Sequence, residues 1–369
     1  MGAGLAGCSV ARYLAASGQR VLVLDRGGVG AGASGRNGGF LLRRADPWIE
    51  GLRRAAIAIY AELEDEGPLG CGLRARQLLL VATHGEELAD AEAHARQVDG
   101  AAVDARTEPW LADDLAGAFA IDGSYEVEPM AATAAMADAA ARAGAQFELG
   151  VEATRLSIAH GAVDGVVTDR GIRSGSRVIA AAGPATARLL ATAGVHLPLA
   201  GARGWLMELA PLDRPLGWVI EQALWPSQEA MAAIAAAPSL GEVAAAPIGP
   251  PELVSLLMGQ RPSGGIVVGT SINRSLREEP EGEKTLQAVA ANAARIVPPL
   301  SAARAVGAWS GRRAMTPDGR PVVGDVPGIG GLAVASGFSS VGMVTAPETC
   351  RRLAVGAADP ELSPARLLE

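Results

Sequence analysis

Hydrophobic and polar positions in this chain fall into two regimes. Up to about residue 200, and again after about 305, helical and strand-like patterns alternate. Helical spacing runs through Cys8–Ser17, then 48–66 with Ile49, Leu52, Ile57 and Leu63 on one side, then an exposed stretch 85–99 and an alanine-rich stretch 130–143. Apolar runs predict strands at Arg20–Asp25, 77–83, Gln146–Leu149, Arg177–Ala182 and Gly331–Ser336. Val151 to Thr168 alternates as a hairpin around His160-Gly161, with His160 at the turn. From about 204 to 305 strand-like runs (Trp205–Leu209, Trp218–Ile220, Gly265–Gly269) are separated by Pro/Gly breaks, which predicts an antiparallel sheet. A helix over Glu283–Val297, stopped by Pro298-Pro299, leads out of it. The alanine- and proline-rich stretch 229–251 fits no element.

The first seven residues spell GxGxxG and run straight into the first helical pattern, which Gly18 closes, before an apolar run ends at Asp25. This order is that of a dinucleotide-binding unit, in which Gly2 makes the tight turn, Gly4 admits a pyrophosphate and Gly7 lets the helix pack on the sheet. The helix N-terminus offers N–H groups and partial positive charge to phosphates. Asp25 stands where a carboxylate accepts from a ribose. Such a motif normally follows a strand of roughly 5–8 residues, and here only Met1 precedes Gly2. Two readings are open: a start assigned too late, or a protein that lacks the strand.

Composition narrows the function classes. A length of 369 residues suggests two domains, and 49% hydrophobic with 20% charged residues suits a globular protein with a large core. A net charge of −8 with no long basic run argues against nucleic acid. No apolar stretch is long enough for a transmembrane helix, and the N-terminus reads as a cofactor loop, not a signal peptide. Cys8, Cys71 and Cys350 lack metal spacing, so reduced thiols in a cytoplasmic protein, with no metal, are expected.

After Asp25 comes a glycine-rich stretch, Gly27 to Gly39, which contains Ser34-Gly35-Arg36-Asn37-Gly38-Gly39. GAGLAG, then LDRG, then GASGRNGG resembles the flavoprotein family of D-amino acid oxidase, glycine oxidase and sarcosine oxidase. The resemblance implies FAD in preference to NAD. It assigns to the cofactor Gly2, Gly4, Gly7, Asp25, Arg26, Ser34, Arg36, Asn37, Gly38 and Gly39, and places Gly183, at the end of a later strand, in a second close approach. The run Met258–Gly269 resembles a hairpin of family members that act as dehydrogenases.

Two C-terminal passages extend the resemblance. Trp309-Ser310-Gly311-Arg312-Arg313-Ala314-Met315-Thr316-Pro317-Asp318-Gly319 is similar to the family's "W-x-G-x-R-P-x-T-x-D-G", with Ala314 where proline is usual. Arg313 falls on the arginine that clamps the substrate carboxylate, a task suited to a planar, two-pronged guanidinium. The alternative is that Arg312 or Arg313 pairs with Asp318 or Asp325. The turn Ser336-Gly337-Phe338-Ser339-Ser340-Val341-Gly342-Met343 resembles the one that lies against the flavin pyrimidine, which assigns Gly337, Gly342 and Met343 to the cofactor. No histidine or cysteine stands where relatives anchor flavin covalently, so the FAD is expected to be non-covalent. Trp205, Trp218 and Phe338 are candidates for the pocket wall, with plain core packing as the alternative.

The fold expected is α/β (α+β overall): a discontinuous Rossmann-like FAD-binding domain from 1–73, 126–202 and 306–369. A mainly antiparallel β-sheet substrate domain comes from 74–125 and 203–305. The activity implied is FAD-dependent oxidation of an amine or amino acid, by hydride transfer from the substrate C–H to flavin N5, giving an imine that hydrolyses. The substrate is a small amine, amino acid or related carboxylate, and the electron acceptor is O2 or a partner subunit. The alternatives are a 2-hydroxy-acid dehydrogenase, or a non-catalytic FAD-binding subunit or degenerate relative.

Overall fold

The computed structural model of the chain describes residues 1–223, 253–273 and 281–368. The stretch 229–251, singled out above, lies outside them.

The nucleotide motif sits between two small sheet pieces. Helix α1 (Leu5–Ala16) leads to β1 (Leu22–Asp25), which pairs in parallel with a later strand, Gln146–Leu149. Val178–Ala180 pairs in parallel with Leu332–Ser336, which in turn pairs antiparallel with Val322–Asp325. Met1 and Gly2 bridge the two pieces. Gly2 N–H donates to the Leu24 carbonyl at 2.7 Å, the Met1 amine donates to the Ile179 carbonyl at 2.7 Å, and Ala181 N–H donates to the Met1 carbonyl at 2.8 Å. Gly7 must be glycine for α1 to close on this turn: a Cβ there would come within 1.9 Å of the Gly2 carbonyl oxygen.

Helices cover this layer. Pro47–Glu66 (α2) begins where the Asp46 carboxylate accepts from the N–H groups of Trp48 and Ile49, with proline at its first position. Pro129–Arg142, also opened by proline, and Gly342–Ala354 complete the set. Leu5, Val10, Leu14, Met136, Cys350 and Leu353 interlock in the core between them. The expected hairpin is present as Ala153–Ala159 and Ala162–Thr168, and its turn residue His160 has φ of 50°.

Nine strands, among the described residues, form the second sheet. In spatial order its main path runs β15 (Ala305–Met315), β11 (Ala200–Leu209), β14 (Ile266–Ile272), β13 (Leu253–Gln260), β12 (Val219–Gln222), β3 (Arg74–Ala82), β5 (Gly117–Glu126) and β2 (Phe40–Leu41). Neighbours are antiparallel except β12 and β3. One face buries Met207, Ile220, Met258 and Val268 against Val289, Ala293 and Ile296 of the helix Glu281–Ile296. Each such side chain contributes about 1.5–3 kcal/mol when fully buried. The opposite face roofs a cavity above the nucleotide motif. This sheet crosses the boundaries drawn at 202/203 and 305/306, because Ala200–Leu209 and Ala305–Met315 pair along their length.

Candidate active site

A continuous cavity of about 1040 Å³ runs from the first glycine loop to the sheet roof. At its floor are Gly2, Gly4, Leu5 and Ala6 at the α1 N-terminus, followed by Asp25, Arg26 and the loop Ala31–Gly39. Gly4 precedes the helix without a side-chain cap of its own, and Ser34 Oγ reaches in to accept from Leu5 N–H at 2.9 Å. Asp25 Oδ2 accepts from Ala3 N–H and Oδ1 from Gly27 N–H, both at 2.8 Å, which fixes the carboxylate at the cavity edge. A carboxylate has about four acceptor positions, so these bonds leave capacity for ribose hydroxyls.

The loop residues divide by role. Asn37 shapes the backbone: its Nδ2 donates to the carbonyls of Ala33 and Ser34 at 3.0 and 2.8 Å, and its Oδ1 accepts from Gly39 N–H at 2.8 Å. Arg36 reaches the Ser310 carbonyl at 3.5 Å, and Gly311 packs against the Arg36 backbone, so the loop is docked onto β15. Arg26 is largely exposed and lies 3.6 Å from Glu152. Gly38 and Gly39 line the cavity, and so does Gly183, whose carbonyl accepts from Ser336 Oγ at 3.0 Å. Ser336, buried on its strand, was not anticipated; a serine closing an apolar strand before glycine is the only sequence signal for it.

Gly337, Phe338, Gly342 and Met343 also line the cavity. The helix Gly342–Ala354 starts with no side-chain cap and no acid in its first turn, so its positive end is available to an anionic ring. Tyr60 Oη donates to the Met343 carbonyl at 2.8 Å, and Ser339 N–H donates to the Ala314 carbonyl at 2.9 Å. The turn is therefore tied both to α2 and to the strand that carries Arg313. The Ala314 carbonyl provides that tie.

Arg313 leaves β15, crosses Gly204 of β11 and ends at β14. Its Nη1 donates to the Ser271 carbonyl at 3.0 Å and its Nη2 to Thr270 Oγ1 at 2.9 Å. A Cβ at 204 would lie 2.3 Å from Nη1, so glycine is needed for the guanidinium to lie flat there. Among the described residues no carboxylate pairs with Arg313. Both acids considered as its partners are engaged elsewhere: Asp318 with Arg366 at 2.7 Å and Asp325 with Arg177 at 3.4 Å. Burial pulls the Arg313 guanidinium down to about 10, which leaves it charged at neutral pH.

Strand alternation places two expected wall residues elsewhere. Gly204 and Leu206 face the cavity, so Trp205 faces the opposite side, where its ring packs against Gly282 and 5.8 Å beneath the Arg203 guanidinium. Trp218 joins the core behind the sheet. Phe338 is the aromatic of the three that reaches the cavity. Two further lining residues were missed: Arg44 and Glu221 form a two-pronged pair, Nη1 to Oε2 at 2.8 Å and Nη2 to Oε1 at 2.7 Å. Their separation of 177 residues left no local pattern to find.

Among the described residues no cysteine or histidine lines this cavity. Among the described residues no cluster of His, Cys, Asp or Glu could hold a metal, and no helix is long and apolar enough to cross a membrane. The helix end, the placed Asp25 and the glycine-rich loop fit an elongated dinucleotide, and the second uncapped helix end fits its reactive ring.

Comparison with known proteins agrees with this geometry. The chain is 26% identical over 381 residues to glycine oxidase of Pseudomonas aeruginosa, covering 99% of this chain and 96% of that protein. It is 30% identical over 377 residues to 4-methylaminobutanoate oxidase (formaldehyde-forming) of Paenarthrobacter nicotinovorans, covering 96% of this chain but only 42% of that protein's length. Its fold matches the crystal structure of glycine oxidase from Geobacillus kaustophilus with a TM-score of 0.81, at 24% identity over 99% of this chain and 97% of that one. The family model described as DAO, FAD dependent oxidoreductase, matches residues 1–355. The chain belongs to the DAO family of FAD dependent oxidoreductases.

Proposed function

We propose that this chain oxidises a small amine or amino acid that carries a carboxylate. The observation that carries this reading is Arg313, a charged guanidinium held at the cavity wall by Ser271 and Thr270 with no carboxylate partner among the described residues. A carboxylate from the substrate would supply the missing counter-charge with two-pronged geometry. The relatives named for oxidising glycine and 4-methylaminobutanoate, both carboxylated amines, support the same class.

FAD, when bound, supplies the two-electron acceptor that takes hydride from the carbon bearing nitrogen, leaving an imine for water to hydrolyse. The protein's share is positioning. Arg313 fixes one end of the substrate, Phe338 and Leu206 exclude water, and the roof orients the C–H bond toward the floor. Hydride transfer needs the substrate amine in its neutral form, and among the described residues no histidine lines the cavity to take its proton. The lack of a cysteine or histidine among the described lining residues is consistent with non-covalent FAD. Buried thiols at Cys8, Cys71 and Cys350 support a cytoplasmic setting.

Anaerobic mixing of the yellow protein with carboxylated amines tests the reading: bleaching of the flavin is expected, and its absence with every such amine sinks the proposal. Oxygen uptake accompanying turnover assigns an oxidase. Bleaching without uptake assigns a dehydrogenase that passes electrons to a partner.

A further inference from the structure

The cavity roof carries charge at two places, and the mechanism above uses one. Arg313 crosses β11, so its guanidinium lies over β14 at Thr270 and Ser271. The Arg44–Glu221 pair closes over β12. The strand order β14, β13, β12 puts a single strand between them. Their position along the strands matches as well, because Glu221 pairs with Leu257, and Leu257 pairs with Gly269, next to Thr270. With strands about 4.8 Å apart, β12 and β14 lie roughly 10 Å from each other. Ser255 and Leu257 of β13 line the cavity between the two charged ends.

Glu221 is the more enclosed partner, with 6% of its side chain accessible against 19% for Arg44. The two-pronged pair fixes the plane of the guanidinium, and both residues line the cavity, with Arg44 the more accessible of the two. Placing a buried ion pair on a pocket wall costs desolvation that hydrophobic residues would avoid. A role in recognition accounts for that cost.

Building on the amine-oxidation reading, we propose that the substrate carries a second anionic group, a distal carboxylate bound at Arg44. The α-carboxylate occupies Arg313, and the chain between the two lies along Leu257 under β13. The substrate class is therefore an amine or amino acid with two carboxylates that fit within the roughly 10 Å between β12 and β14.

Inert ligands test this without turnover. The flavin absorbance of the FAD-loaded protein is titrated with butanoate, which has one carboxylate, and with glutarate, which has two. Glutarate is expected to bind at least tenfold more tightly. In R44Q/E221Q, which removes both charges and leaves neither partner buried alone, that ratio is expected to collapse to near one. Equal affinity for the two ligands in the unaltered protein overturns the distal site, as does a double variant that keeps the tenfold ratio. A double variant that weakens both ligands alike assigns the pair a structural role and overturns it too. In the same titration R313Q should weaken both ligands. If R313Q weakens both while the unaltered protein shows no preference, the distal site falls and the amine-oxidation reading stands. If R313Q changes neither, the clamp reading fails and the distal site fails with it.

Discussion

Gly204 lies directly under the guanidinium of Arg313, and a Cβ at 204 would come within 2.3 Å of Nη1 and 2.7 Å of Cζ. Two residues more than a hundred positions apart are thus shaped for each other. The glycine makes a flat bed across β11 that lets Arg313 reach Thr270 and Ser271 on β14. Gly204→Ala should displace the guanidinium and lower kcat/KM for carboxylated amines at least tenfold. The flavin spectrum should be unchanged, because residue 204 lies on the roof and the phosphate loop on the floor. Steady-state kinetics alongside the absorbance spectrum reads both.

Removing the guanidinium should cost more. A hydrogen bond to a charged group contributes about 1.5–3 kcal/mol, equivalent to roughly 10- to 150-fold in affinity. Arg313→Gln is therefore expected to raise KM for carboxylated amines by a factor in that range. An amine without a carboxylate should be affected far less. A uniform loss across both substrate types would point to damage of the fold.

The pH dependence of that clamp follows from its lowered pKa. Burial brings Arg313 to about 10, so in the free protein it is charged below that pH and neutral above. Binding of an inert carboxylate should be level from pH 7 to 9 and weaken as pH rises through 10, approaching tenfold per pH unit. Titration of the flavin absorbance across that range measures it. Binding that falls instead between pH 6 and 8 would implicate a different group.

The nucleotide end was legible because its determinants are consecutive. GxGxxG, the helix and Asp25 are within 25 residues, and each spacing is set by the local geometry of one turn, one helix and one strand. The roof was less so. For Trp205 the sequence leaves pocket wall and core packing both open, and only the strand's register decides: Gly204 and Leu206 face the cavity, so alternation sends the tryptophan behind the sheet. Asn37 lines the cavity, and its side chain also closes the loop on itself, a role that the motif does not announce. Arg44 follows β2 and Glu221 lies on β12, strands joined in one sheet only through β3 and β5, an arrangement that no local pattern encodes.

The thiols give an independent check on the core. Cys8 and Cys71 are both pushed up to about 12, chiefly by burial, and the buried Cys350 is raised further for the same reason. The native protein should not react with a thiol reagent at pH 8, and all three should react after denaturation. Fast titration of Cys8 or Cys350 in the native state would contradict the packing of α1 and the helix Gly342–Ala354, and of Cys71 its packing against α2.

Gly7→Ala tests the floor. Its Cβ would meet the Gly2 carbonyl oxygen at 1.9 Å, so α1 must shift away from the phosphate turn. The variant is expected to purify with little or no flavin and to melt at lower temperature. Full yellow colour would show that the turn tolerates the displacement.

The most direct measurement is anaerobic reduction of the bound flavin, followed at its visible band, by paired amines that differ only in a carboxylate. Sarcosine and dimethylamine form one such pair, and N-methylaspartate extends it to two carboxylates. The expected result is bleaching by the carboxylated members at least tenfold faster than by dimethylamine, with the difference abolished in Arg313→Gln. Bleaching at equal rates with and without a carboxylate, or by none of them, would contradict the assignment of this cavity.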